Sequence, residues 1–350
     1  MWQIENRTPF AADSGWVRDR DGAELWLVAV KCSFDIAPDG TTRPSDVQPE
    51  VALVPEYHGD PGHSSVRYDA DIVRTKITTD ILLVGHAYAP RGQRVTEVFA
   101  TLELDAINKR LRITGDRVWE TLGPGPPEPF AAMPLVYERA YGGVDALSAQ
   151  PERDWDWRNP VGTGFVVDRK HLAGVRLPNI EYPDSPFTSW DDRPPPAGFG
   201  AIGSHWQPRA RFAGTYDEEW LKKRQPLLPD DFDDHFYQCA PLDQQSPQFL
   251  RGGERVLLRH LTPDGLLQFV LPRVSLRFDT RFFTGEHAIH GAPNLHTVIL
   301  EPDVPRVSLV WHTALPCHSQ VQQLEQTLVT VKRTSASSEP DAVVDLEVVG

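Results

Sequence analysis

Two carboxylates, Asp154 and Asp156, stand two residues apart, flanked by Trp155 and Trp157. Paired carboxylates among aromatic rings belong to glycan-cleaving sites, where one acid protonates the leaving oxygen and the other acts as base or nucleophile. On a strand, positions i and i+2 share a face, so the geometry is allowed. The competing reading, a loop whose tryptophans pack inward and whose acids stay hydrated, is favoured. His287 and His290 lie near Glu286 and His296. A metal centre needs ligands that converge on one point, and a His-x-x-His pair on a loop gives no such convergence; a surface or structural role is expected. Trp311-His312-Thr313-Ala314-Leu315-Pro316-Cys317-His318 holds the residue types of a Cys/His nucleophile pair, but nothing brings them within hydrogen-bond reach. Gly162-Thr163-Gly164 and Gly198-Phe199-Gly200 lack the strand–loop–helix order and the Lys of a phosphate loop. No catalytic residue, metal ligand or cofactor is expected.

Binding chemistry is better supplied. Tyr137, Arg139 and Tyr141 alternate, and if extended they put two Tyr and one Arg on a single face. These types are enriched among interface hot spots. Asn159 and Phe165 bound a second segment, Asn159-Pro160-Val161-Gly162-Thr163-Gly164-Phe165. These five residues are the candidate partner contacts. The alternative, that they knit the central loops to a sheet with Arg139 bonding carbonyls or carboxylates, is favoured for the first segment.

The elements that must position them are strands. Trp26, Val28, Val30, Cys32, Phe34 and Ile36 alternate with Leu27, Ala29, Lys31, Ser33 and Asp35, the period-two pattern of a half-buried strand. Asp21-Gly22 before it is a hairpin signal. Asp71–Tyr88 is β-branched and suits one or two strands, and 95–104 with 110–119 suits an antiparallel pair. Further strands are expected at 254–261, 266–271, 274–278, 297–300 and 306–311; Val321–Val329 fits a last strand or a short helix. One helix start is convincing, Asp217-Glu218-Glu219-Trp220-Leu221-Lys222-Lys223-Arg224, with Thr215 as a possible cap, acids early, bases late and Pro226 to stop it.

The expected fold is mainly β, with antiparallel, sandwich-like sheets, few short helices and a long irregular central region rich in aromatics, Pro and Gly. The 350 residues include 32 Pro and 25 Gly, a composition of turns and short strands. We read residues 1–333 as one large domain, with strand groups 1–123 and 250–333 around the irregular 130–247, followed by a Ser-rich tail at 334–350. A net charge of −14 argues against a nucleic-acid surface, which needs basic stripes. Cys32, Cys239 and Cys317 are odd in number and far apart, so neither a disulfide framework nor a CxxC zinc site follows. The chain opens Met1-Trp2-Gln3-Ile4-Glu5 without a basic and apolar leader. No run approaches the ~18 apolar residues of a membrane span, and a cytoplasmic protein is expected.

Several ordered segments carry a resemblance: Glu5-Asn6-Arg7-Thr8-Pro9-Phe10, Val28-Ala29-Val30-Lys31 with Phe34-Asp35-Ile36, Tyr137-Glu138-Arg139-Ala140-Tyr141-Gly142-Gly143, Asn159–Phe165, Leu177-Pro178-Asn179-Ile180-Glu181, Pro196-Ala197-Gly198-Phe199-Gly200, Ala213-Gly214-Thr215-Tyr216-Asp217, Ala240-Pro241-Leu242-Asp243-Gln244-Gln245 and Leu250–Glu254. Together, over residues 1–333, they make the chain similar to a bacterial domain-of-unknown-function family encoded beside type VI secretion spike and toxin genes. That resemblance implies an adaptor, or effector chaperone, whose partners are a toxin effector and the spike protein, with no nucleic acid and no membrane. It brings no catalytic residues. Two other functions stay open: a glycan hydrolase working through Asp154 and Asp156, and a structural subunit of the secretion apparatus.

Overall fold

The structure, a computed structural model, describes residues 2–120, 123–317 and 320–332. The tail 334–350 and His318 lie outside the described residues.

The strand Glu24–Ile36 runs through the middle of the largest sheet. A turn with Gly22 at φ +88° returns the chain from the strand Ala11–Arg18, a left-handed position that glycine adopts without a Cβ penalty. On its other side Glu24–Ile36 pairs antiparallel with Arg306–Pro316, Trp26 opposite Leu315 and Phe34 opposite Val307. Asn294–Glu301 follows antiparallel, and Asp80–Leu83 lies parallel beside it at the edge.

A second sheet holds Ile180–Glu181, Ile107–Thr114, Glu97–Leu104, Arg255–Arg259 and Leu266–Val270 in that spatial order, all antiparallel. The third pairs Leu324–Val331 with Leu276–Phe282 antiparallel and with Gln3–Asn6 parallel. One continuous core joins all three: Val28 and Phe34 from the first sheet, Leu102 and Val256 from the second, Phe278 and Val329 from the third. The fold is mainly β, with several antiparallel sheets and one short α-helix among the described residues.

Four expectations change in detail. The strand Glu24–Ile36 is buried on both faces, not one: Leu27, Ala29, Lys31 and Ser33 are as inaccessible as their apolar neighbours. The second face is covered by loops that satisfy its polar groups. Lys31 Nζ lies 3.0 Å from Asp71 Oδ2, and the Ser33 hydroxyl lies 2.7 Å from that of Ser308; at the strand's edge the Gln48 amide accepts from the Ser33 N–H at 3.0 Å and donates to its carbonyl at 2.9 Å.

Within Asp71–Tyr88 only Asp80–Leu83 and His86–Tyr88 are strands. Residues before them bond to side chains and distant carbonyls instead of a ladder: Asp71 Oδ2 accepts from Ala52 N, and the Thr79 hydroxyl donates to Leu295 O. Val321–Gln323 is one 3₁₀ turn leading into the strand Leu324–Val331. The helix Glu218–Lys223 is capped by Asp217, whose Oδ1 accepts from Glu219 N and Trp220 N at 3.0 and 2.9 Å; Thr215 donates its hydroxyl to Asp231.

Candidate functional site

Tyr137, Glu138 and Arg139 form a 3₁₀ turn, so the extended face expected of Tyr137, Arg139 and Tyr141 does not form, and both tyrosines are buried. The cause is a clasp built on Asn159. Its fully buried Nδ2 donates to Tyr137 O at 2.8 Å and to Tyr141 O at 3.0 Å. Gly142, at φ +146°, allows this approach: a Cβ there would lie 2.3 Å from Asn159 O. The Tyr141 ring packs on Phe187 at 5.0 Å, and burial pushes its hydroxyl up to about 12. Arg139 Nη1 donates to Asp116 Oδ1 at 2.7 Å and Asn179 Oδ1 at 3.0 Å. Phe165 lies under the Arg193 guanidinium at 4.9 Å. Of the five residues, Arg139 and Phe165 keep partial exposure, and all five tie the central loops together.

Asp154 and Asp156 are occupied locally. Asp156 is buried and takes Arg158 with both oxygens, Nε to Oδ1 at 2.9 Å and Nη2 to Oδ2 at 2.5 Å. Asp154 accepts from the Ser148 hydroxyl. Trp155 donates its indole N–H to Glu152 O at 3.1 Å, whereas Trp157 stands 64% exposed.

The histidines take separate partners. His287 faces Asp279 at 3.3 Å, and His290 Nε2 lies 2.6 Å from Thr280 Oγ1. His296 stacks on His312 with ring centroids 4.3 Å apart. Burial pushes His290 down to about 4, His312 to about 3 and His296 well below its ordinary value, so these rings are neutral at pH 7. Cys317 is buried just past the end of the strand Arg306–Pro316, and its thiol lies 3.5 Å from Leu315 O rather than on an imidazole. Among the described residues no group of three or more His, Cys, Asp or Glu is arranged to hold a metal.

What the central region does form is an open groove of about 560 Å³. Tyr137 contributes its ring, edge-on to Trp206 at 5.7 Å. Gly198 makes room for that ring, since a Cβ there would come within 2.7 Å of it. Tyr182, Pro195, Pro196, Ile202, Pro208 and Pro241 continue the apolar lining, and Leu242, 66% exposed, stands at the rim. Trp157 adjoins it, its carbonyl accepting from the N–H of the lining residue Gln207 at 2.9 Å.

One carboxylate of the groove is fixed from two sides: Asp243 receives Lys109 Nζ at 2.8 Å and the Tyr182 hydroxyl at 3.0 Å. Burial lowers Lys109 to about 8, an effect that Asp243 partly offsets. Sequence reasoning reached Tyr137 and missed Tyr182, Arg211 and Leu242. Their segments are far apart in the chain, and the one local signal was the clustering of Pro194-Pro195-Pro196, Pro208 and Pro241 in a region dense in aromatics.

A protein-family model described as "Uncharacterized protein conserved in bacteria (DUF2169)" matches residues 21–312, most of the chain, and the chain belongs to that family. Comparisons with curated proteins and with solved structures gave no match. Among the described residues no helix is long and apolar enough to cross a membrane.

Proposed function

We propose that this protein is an adaptor that binds a toxin effector of the type VI secretion system and helps load it onto the spike. The secretion setting comes from the resemblance of the ordered segments described above. The observation that carries a binding role is the groove: an open, largely apolar concavity of about 560 Å³, with Leu242 standing exposed at its rim. Large apolar and aromatic side chains left in water at a concave surface mark docking sites more often than chance exposure. The groove is also well supported. Asn159 holds the turn that carries Tyr137, and Lys109 holds Asp243, so little ordering is needed on binding, which lowers its entropic cost.

The test is co-purification of the protein with the toxin encoded beside its gene. Retention of the toxin through washing, and loss of toxin export when the adaptor gene is deleted, is the expected result. A folded protein that retains no toxin and whose deletion leaves export unchanged would remove this reading.

A further inference from the structure

We infer that the groove takes a short apolar segment of its partner bearing one carboxylate, which pairs with Arg211. This rests on the adaptor reading and specifies the chemistry of the occupant.

Every charged side chain lining the groove but one has an ionic partner. Arg158 is already bound by both oxygens of Asp156. Asp243 is already bound by Lys109 and Tyr182. Gln207 carries no charge. Arg211 remains: it lines the groove, is exposed, and among the described residues makes neither an ion pair nor a side-chain hydrogen bond, its guanidinium lying 4.6 Å from the Phe212 ring centroid. The groove of a protein with net charge −14 thus presents one uncompensated cation amid apolar walls. A guanidinium next to apolar surface binds a carboxylate through charge-assisted, often paired, hydrogen bonds.

The walls also say how the segment is held. Pro195, Pro196, Pro208 and Pro241 have no N–H to donate, so the groove cannot add a β-strand along those stretches. Recognition falls to side chains, with Leu242, Tyr137 and Tyr182 receiving apolar groups and Arg211 fixing register through the acid.

Two probes separate this from the adaptor reading. The first is a displayed random-peptide library selected on the full chain, with Leu242→Asp protein as counter-selection. Apolar peptides enriched in Asp or Glu are expected, with affinity falling about tenfold or more in Arg211→Glu and recovering when the peptide's acid is changed to Lys. Peptides without acidic enrichment, or peptides that bind Arg211→Glu as well as wild type, overturn the inference. The second is retention of the neighbouring toxin. Undiminished retention by folded Arg211→Glu, judged by its melting curve, also overturns the inference while leaving the adaptor reading standing. Failure of wild type to retain the toxin removes the adaptor reading, and the peptide selection then decides the groove alone. A dimer in size-exclusion chromatography that Arg211→Glu dissolves would put a second copy of this chain in the groove and overturn the inference.

Discussion

Lys109 Nζ sits 2.8 Å from Asp243 Oδ1, with the lysine buried and the Asp243 side chain 40% exposed. This pair ties the strand Ile107–Thr114 to the rim of the groove. The Lys109 ammonium also lies 5.3 Å and 5.6 Å from the Tyr182 and Phe199 ring centroids. Removing one partner of such a pair costs more than removing the charge that burial disfavours.

Asp243→Asn should therefore destabilise by about 2–3 kcal/mol, less than the loss of a fully buried pair because water reaches Asp243. Lys109→Met should lie within about 1 kcal/mol of wild type. Urea unfolding of both variants checks the order, and a larger loss for Lys109→Met would refute it. The pH dependence has a definite sign. Burial lowers Lys109 from 10.5 to about 8 in the folded chain, so between those values the unfolded chain binds more protons. Across that window wild type should gain stability relative to Lys109→Met as pH rises.

Acid should act through three buried imidazoles. His290 and His312 are held down at about 4 and 3, and His296 well below 6.5, by burial. Their neutral forms favour the fold fully above pH 6.5, and that contribution falls as pH drops from 6.5 toward 4. For His312 the expected loss is about 1.4 kcal/mol per pH unit, so His312→Gln should lose stability more slowly than wild type by one such step. Parallel unfolding curves for the two proteins from pH 7 to pH 4 would show that His312 is not linked to folding.

The fold was legible where the pattern is local. Trp26 to Ile36 alternates over its whole length, and Asp21-Gly22 marks the turn that feeds it, so strand and hairpin are both present. What alternation could not show is that the polar side of this strand is buried too. That depends on groups such as Asp71, which reaches Lys31 from a loop with no period of its own. The same holds at the groove. Tyr137 and Tyr141 looked like alternating contact residues, yet the Asn159 amide bonds both their carbonyls and turns the chain inward. A contact between residues 18 and 22 positions apart leaves no spacing signature. Arg211 is set apart only by the partners that Arg158 and Asp243 find elsewhere in the chain, which its own sequence neighbours do not reveal.

The two buried faces of Glu24–Ile36 predict two kinds of damage. Phe34 is buried against Phe10, with ring centroids 5.5 Å apart, and Phe34→Ala should cost about 3–5 kcal/mol. Ala29 is fully buried on the opposite face, where added methylenes overpack, and Ala29→Leu should cost about 1–3 kcal/mol. A neutral Ala29→Leu would return that face to solvent.

The acidic pair supplies the last test, because it separates catalysis from binding. Asp154 accepts a single hydroxyl and is partly exposed, so Asp154→Asn should change stability by less than about 0.5 kcal/mol. Asp156 is buried and holds Arg158 with both oxygens, so Asp156→Asn should cost about 1–3 kcal/mol through the loss of charge-assisted bonds. Arg158 lines the groove, and Asp156 is what neutralises it there. The same substitution therefore leaves a second uncompensated guanidinium beside Arg211. Acidic apolar peptides should bind Asp156→Asn more tightly than wild type at low ionic strength, and the advantage should shrink as salt is added. A glycan hydrolase would behave in the opposite way, with turnover lost in both variants. Fluorescence titration of one acidic peptide at two salt concentrations, run beside a glycan-hydrolysis assay on the same preparations, decides between them.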